Sequence, residues 1–210
     1  MILDSSLDRL SLGLSKDAAF VASYSVEMTM ETMEHCMAEI DAFLKAQNIT
    51  VADLGFLGVI EGPGGYTSLR LGISTMKTIA QMQDIPLFGR TIYDAMMMGV
   101  LADQVYFGVI PGRKHHVNCQ LNRVVDGYVE ILSESLSLTY DQFYNFVTKF
   151  KAPIKCRCLG GDAFVQTLKD LGETTLIWDT SPIQLEGLLA FGAKQLADGM
   201  TPVLSDIQPL

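Results

Sequence analysis

Residues 61–72 read Glu61-Gly62-Pro63-Gly64-Gly65-Tyr66-Thr67-Ser68-Leu69-Arg70-Leu71-Gly72. An apolar run over 54–60 precedes them, and over 67–81 Leu69, Ile73, Met76 and Ala80 recur on one side of a helix. The stretch is therefore a turn from a strand into a helix. Glycines there admit positive φ and let a phosphate or another chain segment come close. Thr67 or Ser68 can satisfy free amide donors at the helix start, where an anion also fits. No Gly-Lys-Ser or Gly-Lys-Thr ends the loop, so it is not a Walker loop. Gly62-x-Gly64-x-x-Thr67 has Thr where a dinucleotide fingerprint has its last Gly. On local grounds a tight turn without ligand and an anion-binding loop both stand.

On the N-terminal side, 1–4, 9–15 and 18–25 read as a meander of three strands. A helix is expected over 29–47, because Met30, Met33, Met37, Ile40 and Leu44 recur at three- and four-residue steps. Thr50 with Asp53 caps a short turn before the strand at 54–60. Past the loop come a strand at 86–89 and a helix opened by Thr91, with Asp94 as its capping partner. The second half repeats the order. Strands are expected at 104–110, 116–123 and 128–133, with Asp126-Gly127 turning between the last two. Thr139 with Gln142 caps a helix reaching about Phe150; strand 155–159, helix 162–170, strand 175–178 and helix 184–198 follow. Both halves read βββαβαβα. This α/β order, duplicated, is how actin-like and RNase H-like lobes are built. Two closely packed lobes are expected, 1–103 and 104–210, since no linker rich in Pro, Gly or Ser separates them.

The 210 residues are 49 % hydrophobic and 19 % charged, a composition with enough apolar surface for real cores. A formal net charge of −9 repels a nucleic-acid backbone, so RNA contact by this chain alone is disfavoured. Charged residues interrupt every apolar run before the roughly 18 residues of a membrane helix. Met1-Ile2-Leu3-Asp4 lacks the basic segment and apolar core of an export signal, which points to the cytoplasm. Cys36, Cys119, Cys156 and Cys158 fit a reducing compartment as structural thiols; His35, His115 and His116 supply no second ligand pair for zinc.

Gly62 to Gly72 resembles the signature of the TsaB family, also called YeaZ, which commonly reads Gly-Pro-Gly-Ser-Phe-Thr-Gly-Leu-Arg-Ile-Gly. This chain has Gly65 for Ser, Tyr66 for Phe, Ser68 for Gly and Leu71 for Ile. Ser68 removes a glycine and is expected to tighten the loop. Asp4-Ser5-Ser6 resembles the family's opening Asp-Thr-Ser, and 189–209 resembles its last helix and Pro-containing tail. The resemblance implies the duplicated actin-like ATPase (ASKHA) fold and a paralogue of TsaD that does no chemistry itself. Such proteins pair with a TsaD-like protein. With a TsaE-like ATPase they support transfer of threonylcarbamoyl to the adenosine beside the tRNA anticodon. It implies no catalytic residue, metal or cofactor on this chain, with ATP and metal on the partner subunit. It further implies tRNA reached only through the complex, a homodimer as a second association, and no membrane. The signature loop is then Gly62, Pro63, Gly64, Gly65, Tyr66, Thr67, Arg70 and Gly72. The expected partner interface is Met30, Met33 and Met37 with Ile73 and Met76.

Two other readings are weighed. A metallopeptidase needs the His-x-x-x-His helix motif of TsaD-like enzymes, but this helix has His35 without a partner four residues away, and Thr32 where a His often stands. His35 lies off the apolar stripe and reads as a solvated or interface histidine rather than a ligand. A kinase of the same fold needs phosphate loops in both lobes; Leu159-Gly160-Gly161-Asp162 is the second-lobe candidate. Asp4, with Ser5 and Ser6, is either a phosphate- or magnesium-facing carboxylate or part of a turn. Arg113-Lys114-His115-His116 reads as a solvated cationic hairpin tip; the family usually has Asp-Ala-Arg where this chain has Pro111-Gly112-Arg113. Met96-Met97-Met98 reads as core filling.

Overall fold

The computed structural model describes residues 1–98, 104–125, 128–200, 202 and 204–210. The expected break at Asp103 and the Asp126-Gly127 turn lie outside them. β1 (Ile2–Asp4), β2 (Arg9–Lys16) and β3 (Ala19–Glu27) form an antiparallel meander; β4 (Leu57–Gly62) and β5 (Leu87–Thr91) extend it in parallel, in the order β3-β2-β1-β4-β5. Strands β1 and β4 are buried along nearly their whole length, as parallel strands covered on both faces must be. Edge strand β3 alternates half-buried and exposed residues over most of its length.

The second sheet repeats the plan. β6 (Val105–Pro111), β7 (His116–Val125) and β8 (Tyr128–Ile131) form the meander, and β10 (Ile154–Cys158) and β11 (Leu176–Asp179) add in parallel, giving β8-β7-β6-β10-β11. One strand is extra: β9 (Leu136–Thr139) pairs antiparallel with β7, from His116↔Thr139 to Cys119↔Leu136. The Leu-Ser-Leu-Thr segment alternates as a strand does, but it is four residues long and its Thr139 also caps the next helix, so it does not stand out from a loop in the sequence.

The helix expected over 29–47 is two, α1 (Met30–Glu34) and α2 (Cys36–Ala46), broken at His35. Thr29 caps α1 by accepting from the Thr32 amide, and Thr32 Oγ1 donates to the Glu27 carbonyl at 2.8 Å. These bonds turn Thr32, Cys36, Ile40, Phe43 and Leu44 inward, so the buried line sits one position round from the methionine stripe. Met30 stays 69 % and Met37 51 % exposed, with Met33 half-buried.

α3 (Tyr66–Gln83) packs Leu69, Ile73, Met76, Ile79 and Ala80 inward, and α4 (Ile92–Met97) follows β5. The reciprocal Thr91 and Asp94 bonds expected at its start are present. Capping boxes also form at Thr50 with Asp53 and at Thr139 with Gln142, the latter opening α5 (Tyr140–Val147). α6 (Asp162–Asp170) and α7 (Leu185–Ala197) complete the order.

The chain divides into two compact units, Met1–Ala95 with Gln184–Leu210, and Met96–Ile183. The expected lobes 1–103 and 104–210 are thus both corrected: Met96 onward goes with the second unit, and α7 and the tail pack with the first sheet. Gly13 shows why: a Cβ there would lie 3.1 Å from Leu185 Cβ and 3.2 Å from Leu189 Cδ1. The first core gathers Leu3, Leu12, Val59, Met76 and Ile207; the second gathers Phe107, Cys119, Phe143, Cys156 and Phe164. Met96 and Met97 are buried, as expected of core filling.

Candidate functional site

Strand β4 ends in the glycine loop, and the loop is closed by the chain's own first turn. Gly62 has φ +118 and is buried against Leu69, a backbone that glycine adopts at low cost; its bond to Pro63 is cis. At Gly64 the reason for glycine is proximity: a Cβ would lie 2.1 Å from the Ser6 carbonyl oxygen. The Gly65 amide donates to that same oxygen at 2.9 Å. Ser5 Oγ donates to the Ser68 carbonyl at 3.0 Å, and a Cβ on Gly72 would lie 2.3 Å from Ser5 Oγ. The structure therefore brings Asp4, Ser5 and Ser6 together with the loop, as one seam between β1 and the start of α3.

Asp4 is buried, and its Oδ1 accepts from the Ser6 amide at 2.9 Å and from Ser6 Oγ at 2.6 Å. Of the two readings of Asp4, this geometry builds the turn. Burial raises its carboxyl above the ordinary value, while the two Ser6 bonds pull it back.

The helix start differs from expectation. Gly65 is the cap residue of α3 and has no side-chain capping bond; Ser68 Oγ donates to the Gly65 carbonyl at 2.9 Å instead of accepting from an amide. Ser68 lies within the helix and needs no glycine backbone, so the family departure does not tighten the loop. A Cβ at Gly65 would lie 2.8 Å from Ser68 Oγ. The serine absent at 65 and the serine present at 68 compensate for one another in space, a pairing invisible without coordinates.

Tyr66, Thr67 and Arg70 point outward, with the Arg70 guanidinium 5.5 Å from the Tyr66 ring centre. Ile73 and Met76 do not join them. At 3 % and 0 % exposure they are core residues of the first unit, which corrects their assignment to a partner-facing surface. The same period of 3.6 residues serves a core face and a partner face, and the sequence pattern does not separate the two. On α1 and α2 the exposed apolar groups are Met30 and Met37.

His35 is exposed, its Nδ1 2.9 Å from the Glu31 carbonyl. Among the described residues no group of three or more His, Cys, Asp or Glu is placed to hold a metal ion. In the Leu159-Gly160-Gly161-Asp162 loop, a Cβ on Gly161 would lie 2.3 Å from Cys158 Sγ and 2.8 Å from Pro111 Cγ, so packing accounts for that glycine. Cys119 and Cys158 are buried thiols pushed up to about 12 by desolvation, and Cys156 is raised too, which makes all three inert as nucleophiles. No helix among the described residues is long and apolar enough to cross a membrane.

A twice-repeated sheet of this order, with a strand-to-helix glycine loop sealed by the first turn, defines a duplicated actin-like protein. The model of the family "TsaD: tRNA N6-adenosine threonylcarbamoyltransferase" matches residues 29–147, more than half of the chain. The chain belongs to the TsaD family, in its TsaB (YeaZ) group. It is 28 % identical over 87 residues to the tRNA threonylcarbamoyladenosine biosynthesis protein TsaB of Bacillus subtilis, a match covering 41 % of this chain and 38 % of that protein. A tRNA N6-adenosine threonylcarbamoyltransferase of Listeria monocytogenes is 39 % identical over 57 residues, 27 % of this chain and 17 % of that one. These matches span well under half the length of each relative. Among solved structures, YeaZ from Pseudomonas aeruginosa superposes with a TM-score of 0.76 at 15 % identity, over 100 % of this chain and 97 % of that one. The ethanolamine utilization protein EutJ from Carboxydothermus hydrogenoformans shares the fold at a TM-score of 0.58 and 9 % identity, over 90 % of this chain and 88 % of that one.

Proposed function

We propose that this chain is a TsaB-type subunit of the machinery that makes threonylcarbamoyladenosine in tRNA, acting as a non-catalytic partner of a TsaD-type protein. The observation that carries the reading is the family match, whose segment holds the signature loop, together with the sealing of that loop by Ser5 and Ser6. A glycine loop filled by its own backbone serves as a rigid base for helix α3 rather than as a phosphate cradle. The exposed Met30 and Met37, with half-buried Met33, supply the adaptable apolar contact, since unbranched thioethers repack readily against a partner helix. Such contacts serve a TsaD-type partner, or a second copy of this chain when the partner is absent.

The further assignments follow from the same reading. ATP and metal sit on the partner; a TsaE-type ATPase joins the assembly; tRNA is held by the complex, because a chain of net charge −9 does not condense on phosphates. The assembly works in the cytoplasm, where tRNA is. The subunit reading is preferred to a peptidase or a kinase, because the family and the TsaB relatives support it and nothing specific supports either rival. The test is co-purification of the chain with the TsaD-type protein of the same organism. A stable complex that Met30→Glu with Met37→Glu abolishes, the variant remaining folded, supports the reading; an unchanged complex refutes this interface.

A further inference from the structure

We propose that the hairpin tip between β6 and β7, Arg113-Lys114-His115-His116, is the place where this chain touches RNA, through the phosphates of the RNA backbone. The proposal deepens the tRNA reading and rests on it: the complex holds the tRNA, and this tip is the contact that the present chain adds.

The two units differ in charge. Met1–Ala95 with Gln184–Leu210 carries 15 acidic and 7 basic residues and repels a polyanion, whereas Met96–Ile183 carries 9 and 8. Within that near-neutral unit, some cations are spent on neighbours. Arg123 pairs with Glu130, and the buried Arg157 pairs with Asp179. The Arg113 guanidinium and the Lys114 ammonium have no ion-pair or hydrogen-bond partner among the described residues. Asp141 and Asp162 stand in the first turns of α5 and α6, at the same end of the second sheet, and neither forms an ion pair with the tip.

Hydrogen bonds hold the tip in one shape. The Gly112 amide donates to the His116 carbonyl at 2.7 Å and the His116 amide to the Arg113 carbonyl at 3.3 Å, closing a two-residue turn on Lys114 and His115. The Tyr140 amide donates to the His115 carbonyl at 2.9 Å, and the His115 ring stands edge-on to the Tyr140 ring with 5.3 Å between centres. His116 Nδ1 lies 3.0 Å from the Lys114 carbonyl. Lys114 and His115 both have φ 57°, where a turn of this kind takes Asn-Gly at the lowest cost. Backbone stability therefore does not select these two side chains, and all four residues of the tip are exposed. Four polar groups in a row on an exposed tip enclose no small anion. They match the spaced phosphates of a nucleic-acid strand, and charges already fixed in place lose little further freedom on binding it.

The test is titration of fluorescently labelled tRNA with the complex of this chain and the TsaD-type protein of the same organism, at several salt concentrations. Arg113→Gln with Lys114→Gln should leave the complex intact and weaken tRNA binding at least about tenfold. The slope of affinity against salt should fall by about 1–2, because two phosphate contacts are lost. Lys149→Gln with Lys151→Gln removes the same charge from two exposed lysines just past the other end of α5, and should leave the affinity within about twofold. Lys114→Asn with His115→Gly should raise the unfolding midpoint and still weaken tRNA binding. Full binding by the tip variants, equal losses from the two glutamine pairs, or loss of the TsaD-type partner in place of tRNA overturns the proposal. If the wild-type chain forms no complex, the subunit reading fails, and the tip is read on the full chain alone with the same tRNA at low salt. There the Arg113 and Lys114 pair should carry the binding; no binding, or binding indifferent to that pair, overturns the proposal.

Discussion

Gly64 and Ser6 make the closest backbone approach in the loop seam, and the contact sets a sharp expectation. Gly64→Ala should cost about 1–3 kcal/mol or more, because the new methyl group meets a carbonyl oxygen at 2.1 Å with no side chain free to yield. Gly55→Ala, where nothing lies within 4 Å, is the neutral control; denaturant midpoints at unchanged slope decide it. Gly65→Ser should be mildly destabilising alone and less so beside Ser68→Gly, with a coupling of about 0.5–3 kcal/mol in a double-mutant cycle. Asp4 contributes a pH dependence of its own. Its folded value is raised, so its contribution to stability is complete below the unfolded value of 3.8 and is lost as pH rises through the folded one. Asp4→Asn keeps an acceptor for Ser6 and has no charge to bury. The unfolding free energy of this variant relative to wild type should therefore increase as pH is raised through that interval; a constant difference would contradict it. The glycines of the loop were legible as a turn from sequence. Their occupant, Ser6 some sixty residues away, was not, because a contact between distant segments leaves no local pattern.

At the scale of elements, local chemistry was readable wherever a short-range bond enforces it. The pairs Thr50 with Asp53, Thr91 with Asp94, and Thr139 with Gln142 all cap as their spacing suggests. The apolar central strands were also recognisable, since burial on both faces leaves them little polar content. What periodicity left undecided was which helix face is core: Ile73 and Met76, expected at the partner surface, are buried, whereas Met30 and Met37 are exposed. Met30, Met33 and Met37 match helical spacing as well as Thr32, Cys36 and Ile40 do, and the Thr32 bond to the Glu27 carbonyl selects the second set. Ile73→Ala should then cost about 2–5 kcal/mol as a core cavity and destabilise the isolated chain. Met30→Glu with Met37→Glu should leave the melting temperature of the chain nearly unchanged while abolishing partner binding. Equal melting losses in the two cases would place the methionines in the core.

For the whole molecule, the duplicated βββαβαβα order was visible because each half repeats the same succession of meander, crossover helix and parallel strand. The grouping of α7 with the first unit was not visible, since a helix's sequence position does not state which sheet its Leu185 and Leu189 will cover. That grouping places the tail against β4, where the Leu210 amide donates to the Glu61 carbonyl at 2.8 Å. The first unit thereby carries both the sealed loop and the exposed methionines proposed as the partner contact. The most direct measurement is the formation of threonylcarbamoyladenosine on tRNA by the same organism's TsaD- and TsaE-type proteins, with and without this chain. Product should accumulate only when the chain is present and should disappear with Met30→Glu and Met37→Glu. Product formed at the same rate in its absence would contradict the account.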